Sequence, residues 1–165
     1  MKKLLLVAAA SLFWTQTALA EQFTIGDLTI SNPMIRATPV NAPVSGGYMT
    51  ITNGGADDDR LTAVTVDFAR ESQIHEMKMD GDVMKMREID GGLVIPAGQT
   101  VVLQPGGFHI MFMKLDQQLK QDQRFDAKLT FENAGTVDVT LTVADLAAIK
   151  ESLGGDEMKM EMKAN

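Results

Sequence analysis

The sequence contains no cysteine, and this absence excludes several classes of protein. A disulfide-stapled scaffold, a thiolate metal site and a cysteine nucleophile all need the missing thiol. A blue-copper electron-transfer centre is excluded for the same reason, because a cysteine thiolate binds its copper. Histidine is scarce too: with only two in the chain, a zinc site of three histidines cannot be built.

Basic residues are few, since 15 Lys and Arg stand against 22 Asp and Glu, for a formal net charge of −7. Such a chain lacks the basic patch that binds nucleic acid or an anionic membrane surface, so we expect neither as a partner. No hydrophobic run long enough to span a bilayer follows residue 20. The length of 165 residues and the apolar fraction of 45% predict one globular domain.

The first 20 residues have the pattern of a secretory signal peptide. Lys2 and Lys3 precede an apolar stretch over 4–14, and Ala18-Leu19-Ala20 is a cleavage site with small residues at its first and third positions. We therefore predict cleavage after Ala20 and export to the bacterial periplasm, with an uncleaved anchor as the alternative. The remainder divides into a domain over 21–153 and an acidic, methionine-containing tail over 154–165, which we expect to be mobile.

The pattern of the domain predicts an all-β fold. Short alternating segments separated by turn residues recur at roughly 8–12-residue spacing, as in sandwiches and barrels. The predicted strands are 23–30 (with a turn at 26–27), 48–53, 61–68, 73–79, 83–89, 100–103, 108–115, 125–131 and 137–143. The segment 37–47 is predicted to be a loop, and only 144–153 is expected to be helical.

Methionine is the residue that the chain has in excess, with 12 copies, and its placement follows the two histidines. His75 precedes Met77 and Met79, and His109 precedes Met111 and Met113, all at steps of two. Residues at i and i+2 of a strand share a face, so each row presents one imidazole and two thioethers. Met84 and Met86 form a third row.

The first and third rows are predicted to be the two strands of one hairpin. Asp80-Gly81 is a strong signal for a two-residue type I′ turn. That turn would place His75 opposite Met86 and, on the other face, Glu76 opposite Lys85 as a favourable charge pair. A four-residue loop would keep this pairing, whereas a three-residue loop would separate the histidine and methionine faces.

The donor atoms in these rows favour monovalent copper. Thioether sulfur is soft and uncharged and selects Cu(I), and imidazole also suits copper. His75, Met86, His109 and Met111 would supply two nitrogens and two sulfurs to a four-coordinate Cu(I). The competing interpretation is that methionine at period 2 simply fills the core and that each histidine is structural. We expect Met34 and Met49 to be packing residues, and Met77, Met79, Met84 and Met113 to support or pack around the site.

The tail has a row of its own at Met158, Met160 and Met162. It is a candidate for a second copper site, with a merely soluble acidic tail as the alternative.

The run from 75 to 115 closely resembles the signature of the PCuA(C)-type periplasmic copper chaperones, and segment 37–52 resembles their N-terminal part. The matching positions are His75, Met86, Pro96-Ala97-Gly98, Pro105-Gly106-Gly107 and His109-x-Met111. The resemblance covers roughly 23–143. It implies a cupredoxin-like Greek-key β-barrel or sandwich with one Cu(I) at its exposed end. It also implies copper delivery towards the dinuclear centre of cytochrome c oxidase, with subunit II or a thioredoxin-like assembly factor as partner. In such proteins, C-terminal extensions can bind further copper.

These features predict a monomeric, non-enzymatic carrier that holds Cu(I) and passes it on by ligand exchange. A copper-buffering or tolerance protein that sequesters without delivering is the main alternative. A copper-dependent redox enzyme ranks lower, because four soft ligands leave no open position for a substrate. A β-sandwich adhesion or assembly module, with its methionines in the core, is the remaining alternative.

Overall fold

The computed structural model describes residues 21–161, with side-chain surroundings as far as Gly154. The predicted signal peptide and Met162 lie outside the described residues. The strands are β1 (Gln22–Ile25), β2 (Leu28–Arg36), β3 (Val44–Asn53), β4 (Asp59–Val66), β5 (Ala69–Asp80), β6 (Val83–Glu88), β7 (Leu93–Ile95), β8 (Thr100–Leu103), β9 (Phe108–Leu115), β10 (Arg124–Phe131) and β11 (Gly135–Ala144). The single helix of this part of the chain is α1 (Leu146–Glu161).

All eleven strands belong to one mixed sheet, in the order β6-β5-β9-β8-β3-β2-β11-β10-β4-β7 with β1 paired to β2. Most pairs are antiparallel, but β11–β2 and β8–β9 are parallel. Ile74 of β5, next to one end of this order, and Leu93 of β7, at the other end, belong to the same large hydrophobic cluster, in which Ile110 and Leu129 are fully buried. The sheet therefore wraps around one main core, and the predicted all-β, cupredoxin-like fold is confirmed.

Alternation of apolar and polar residues explains most of the strands. In β10 and β11, buried positions such as Leu129 and Leu141 alternate with more exposed ones, because successive side chains point to opposite faces of the sheet. The bounds of β8 and β9 are those predicted. The short strand β7 was not predicted, because three residues are too few to show a period.

Several other expectations were wrong in their bounds. The strand predicted over 61–68 is β4, which ends at Val66, and the strand predicted over 73–79 is β5, which begins at Ala69. The predicted loop over 37–47 ends early, because Val44–Gly47 pairs with β9 and extends β3. Gly47 fits there because a Cβ atom would stand 2.6 Å from the Phe112 ring, so the close approach of the two strands needs glycine.

The helix begins two residues later than predicted and continues past the predicted end at 153. Asp145 caps it by accepting a hydrogen bond from the Ala148 N–H at 2.8 Å. Ile149 and Leu153 are buried against Met34, Tyr48 and Ala144, which form a second, smaller cluster. The backbone stays helical to Glu161, since residues 157–161 are good helix formers. The boundary at 154 and the mobility of the tail stay predictions.

Candidate metal centre

The β5–β6 hairpin carries the first and third methionine rows, but its register differs from the predicted one. Met77 lies opposite Met86 and His75 opposite Glu88, whereas we expected Met86 opposite His75. The turn residues are Gly81 and Asp82 rather than Asp80 and Gly81. Of these two, Gly81 alone has a positive φ, at 63°, which matches the type II′ turn with glycine in its first central position.

This shift moves the pairing by two residues and therefore keeps the faces. His75 and Met77 still share one face of the hairpin with Met84 and Met86. On the opposite face Glu76 forms an ion pair with Arg87, not with the predicted Lys85, which instead pairs with Asp80.

Strand β9 brings the second row against the first. His75 is the direct partner of His109, and Met111 lies opposite Gln73 on one side and Gly46 on the other. The two imidazole rings are 5.7 Å apart between centroids. Two histidines that are 34 positions apart in the chain are thus neighbours on one sheet face.

An open cavity of about 600 Å³ lies over this face. Its wall includes three of the four predicted ligands, together with Met77, the Pro105–Gly106 turn and, from α1, Lys150. The predicted ligands on the wall are Met86, His109 and Met111. The fourth, His75, is buried beside His109 and does not line the cavity.

One direct contact between two predicted ligands joins His109 Nε2 to Met86 Sδ, at 3.3 Å. The other ring nitrogen of His109, Nδ1, lies 3.1 Å from the Gly107 carbonyl oxygen. Because a carbonyl can only accept, we assign the proton to Nδ1, which leaves Nε2 with a free lone pair. A nitrogen lone pair and a sulfur lone pair therefore face the same small volume.

His75 shows the same division between its two nitrogens. Its Nε2 lies 2.8 Å from Gln73 Oε1, so we place the proton there. Its Nδ1 is buried and has no hydrogen-bond partner. A buried polar atom without a partner is costly, and a bound metal ion is one way to satisfy it.

Electrostatics keeps His75 neutral. Burial lowers the pKa of His75, the nearby His109 lowers it further, and Glu88 raises it in part. The net pKa lies below the ordinary value of 6.5. Near neutral pH the ring is therefore uncharged, which is the form that binds a metal ion.

The part of the chain that the structure describes contains no candidate site for a metal that prefers carboxylate ligands. No group of three or more His, Asp or Glu side chains there is placed to hold a metal ion. Asp59, in the acidic segment 57–59, is instead occupied by backbone N–H groups of Arg60, Asn133 and Ala134 at 2.7–2.9 Å. Over residues 21–161, no helix has the length and apolarity to cross a membrane.

The other methionines divide between core and surface. Met49 is fully buried and Met34 is 9% exposed, as expected for packing residues. Met79, Met84 and Met86 are instead about half exposed, so they do not fill the core. Met77, which we expected to support or pack around the site, lines the cavity with Met86 and His109.

Residues 28–143 match the model of a protein family described as "LpqE-like: Putative lipoprotein LpqE-like". A protein of Leifsonia xyli subsp. xyli described as "Putative lipoprotein Lxx21020" is 30% identical over 112 residues, which are 68% of each chain.

Two solved structures share the fold. The copper-bound PCuAC domain from PmoF2 superposes with a TM-score of 0.65 at 22% identity, over 76% of this chain and 98% of that one. The Cu(I) form of DR1885 from Deinococcus radiodurans gives 0.56 at 26% identity, over 79% and 85%. With its PCuAC-like fold and a family match over 28–143, the chain belongs to the LpqE-like family.

Proposed function

We propose that this protein is a periplasmic carrier of Cu(I), which it holds through His75, Met86, His109 and Met111. The observation that carries the proposal is the contact between His109 Nε2 and Met86 Sδ at the wall of an open cavity. A nitrogen and a sulfur that both present lone pairs, with no proton between them, form no hydrogen bond at 3.3 Å, so their approach gains nothing in the absence of a cation. A metal ion between them turns the approach into two favourable bonds.

The donor set selects the metal. The two thioethers are uncharged and soft, and the two imidazoles also suit copper, so the set favours Cu(I) over Zn²⁺, Ca²⁺ or Mg²⁺. Binding to neutral donors releases few protons, since the tautomers assigned to both rings already present a free lone pair. Such a site can pass its metal on by stepwise ligand exchange. We propose binding and transfer rather than catalysis.

Three observations support a copper function in the periplasm. One structural neighbour is named as a copper-bound PCuAC domain and another as a Cu(I) form. The descriptions of the family and of the Leifsonia relative both contain the words "Putative lipoprotein", and a lipoprotein is an exported protein. The signal-peptide pattern over 1–20 agrees with export to the periplasm.

Delivery to a recipient is the finer part of the proposal. We propose that the carrier acts as a metallochaperone towards the dinuclear copper centre of cytochrome c oxidase, through subunit II or a thioredoxin-like assembly factor. Its support is the resemblance of segment 75–115 to the copper-chaperone signature. We also propose that the protein acts as a monomer. Copper buffering without delivery remains the competing function.

Anaerobic titration with Cu(I) against a competing chelator tests the site. We expect the Met86→Leu, His109→Ala double variant to lose one tightly bound equivalent, because it lacks one thioether and one imidazole. Met113→Leu is the matched control, since Met113 is on the same strand but lies opposite Glu71 and Val44. Unchanged stoichiometry and affinity in the double variant would overturn the assignment, and so would an equal loss in the control.

A further inference from the structure

We propose a second Cu(I) site at the tip of the β5–β6 hairpin, formed by the thioethers of Met77, Met79 and Met84. The inference builds on the proposed function, because it assigns to the hairpin a second place for the same metal. It concerns methionines for which the sequence suggested only packing or support.

The register places these three side chains next to one another on one face of the hairpin. Met79 lies directly opposite Met84, and Met77 is the next residue on the same face of β5. Directly opposed residues have Cβ atoms roughly 5 Å apart, and a diagonal neighbour remains within reach of a long side chain. Three flexible thioether chains can therefore converge on one ion.

Exposure rules out a packing role for the outer pair. Met79 is 55% exposed and Met84 48%, at the edge of the sheet order, and every residue of β6 is exposed. Large apolar side chains that are grouped on a surface commonly mark a binding site. Here the surface is a row of sulfur atoms, which are soft ligands as well as apolar groups.

The opposite face of the hairpin carries its own side-chain contacts between the two strands. That face carries the ion pairs Asp80–Lys85 and Glu76–Arg87, which link β5 to β6. One face is thus charged and cross-linked between strands, and the other presents only thioethers towards the tip.

The two sites would be adjacent but unequal. Met77 also lines the cavity with Met86 and His109, so the tip site borders the main one. Three thioethers without an imidazole form a weaker and more exposed site than a set of two nitrogens and two sulfurs. An incoming Cu(I) ion bound first at the tip needs only a change of neutral ligands to reach the cavity, with no electron or proton transferred.

Site-resolved NMR of the full chain tests this inference, with ¹³C-methyl methionine and Cu(I) added anaerobically. In the wild type we expect the first equivalent to shift the Met86 and Met111 methyl signals. We expect a second, weaker equivalent to shift those of Met79 and Met84. The tail methionines give their own signals and are read separately.

Variants separate this inference from the main assignment. Met79→Leu, Met84→Leu should lose the weaker equivalent and keep the tighter one, whereas Met113→Leu should keep both. Met86→Leu, His109→Ala should lose the tighter equivalent and keep the response at Met79. Unmoved Met79 and Met84 signals in the wild type, while Met86 responds, would overturn the tip site alone. That outcome would favour the hairpin face as a protein-docking surface.

Discussion

At the scale of single residues, the two histidines are prepared in the same way by different partners. Gln73 Oε1 fixes the proton on one ring and the Gly107 carbonyl fixes it on the other. Each partner leaves the second nitrogen of its histidine with a lone pair that is free to bind a metal ion. Hydrogen bonds to the other ring nitrogen commonly orient metal-binding histidines in this way. The identity of the donor atoms thus depends on residues that bind no metal.

Asp59 is a buried residue whose carboxyl group is likewise held in one protonation state by its hydrogen bonds. Burial raises the pKa of its carboxyl, but hydrogen bonds from the backbone N–H groups of Asn133, Arg60, Ala134 and Glu132 lower it by more. The net pKa lies below the ordinary value of 3.8. The carboxylate therefore ties the start of β4 to the turn between β10 and β11 in its ionised form.

This shift predicts a pH dependence of stability. Because the folded pKa is below the unfolded one, the unfolded chain takes up the proton first as pH falls. The stabilisation by Asp59 is therefore complete above about pH 4 and is lost as pH falls through the folded pKa. We expect Asp59→Asn to lower the free energy of unfolding at pH 7 by about 2 kcal/mol, through the lost charged acceptor.

Urea unfolding at pH 7, 5 and 3 measures this effect, and the difference from wild type should shrink at the lowest pH. Asp57→Asn, at an exposed neighbouring position, is the control and should change stability by less than about 0.5 kcal/mol. A constant difference across the three pH values would contradict the role given to Asp59.

At the scale of elements, the candidate site joins a firmly held strand to an edge hairpin. Strand β9 pairs with β5, β3 and β8, and it carries His109 and Met111. Strand β6, which carries Met86, is at one end of the sheet order and is exposed along its whole length. Local opening at such an edge breaks few contacts, so Met86 is the ligand best placed to leave first.

The turn of that hairpin therefore bears on copper binding. Gly81→Ala forces a side chain into a left-handed conformation, at a cost of about 1 kcal/mol, without any clash, since no atom lies within 4 Å of the new Cβ. Relief of the strain would shift the register that places Met86 beside the cavity. We expect a several-fold weaker Cu(I) affinity, measured by competition with a chelator.

Gly98→Ala provides the matched control for this change. Gly98 has φ +67° against +63° for Gly81, and it too has no atom within 4 Å, but its turn carries no candidate ligand. We expect the Gly98→Ala variant to lose about as much folding stability as the Gly81→Ala variant and to keep the wild-type affinity for Cu(I). Equal affinities for the two variants would refute the link between the turn and the site.

At the scale of the whole molecule, the question is whether bound copper is delivered or retained. Two candidate ligands are uncharged thioethers, one of these is on an exposed edge strand, and the cavity is open. These features favour transfer over storage. Deleting the gene distinguishes the two outcomes. Delivery predicts reduced cytochrome c oxidase activity when copper is scarce, because the recipient centre stays empty.

Buffering predicts that growth of the deletion strain is impaired only when copper is abundant. The matched comparison is a deletion strain complemented with the Met86→Leu, His109→Ala variant, which should behave like the deletion. Normal oxidase activity in copper-poor medium together with copper sensitivity in copper-rich medium would contradict delivery.

The sequence alone determined the features that depend on local alternation. Period-2 patterns gave the β-rich fold, the exact bounds of β8 and β9, and the faces on which the histidine and methionine rows lie. Short or overridden signals did not reveal β7, the start of β3 at Val44 or the end of α1 at Glu161. Pairing with β4 forms β7 and pairing with β9 extends β3, whereas the helix propensity of the residues after Gly154-Gly155 extends α1.

Only the tertiary structure decided which donor atoms meet. The sequence placed Met86 opposite His75, but the Gly81-Asp82 turn places it opposite Met77 and brings its sulfur to His109 instead. A shift of two residues keeps every face, so no alternation pattern could reveal it. The excess of methionine and the lack of cysteine pointed to soft metal chemistry, and the strand register selected the atoms that could perform it.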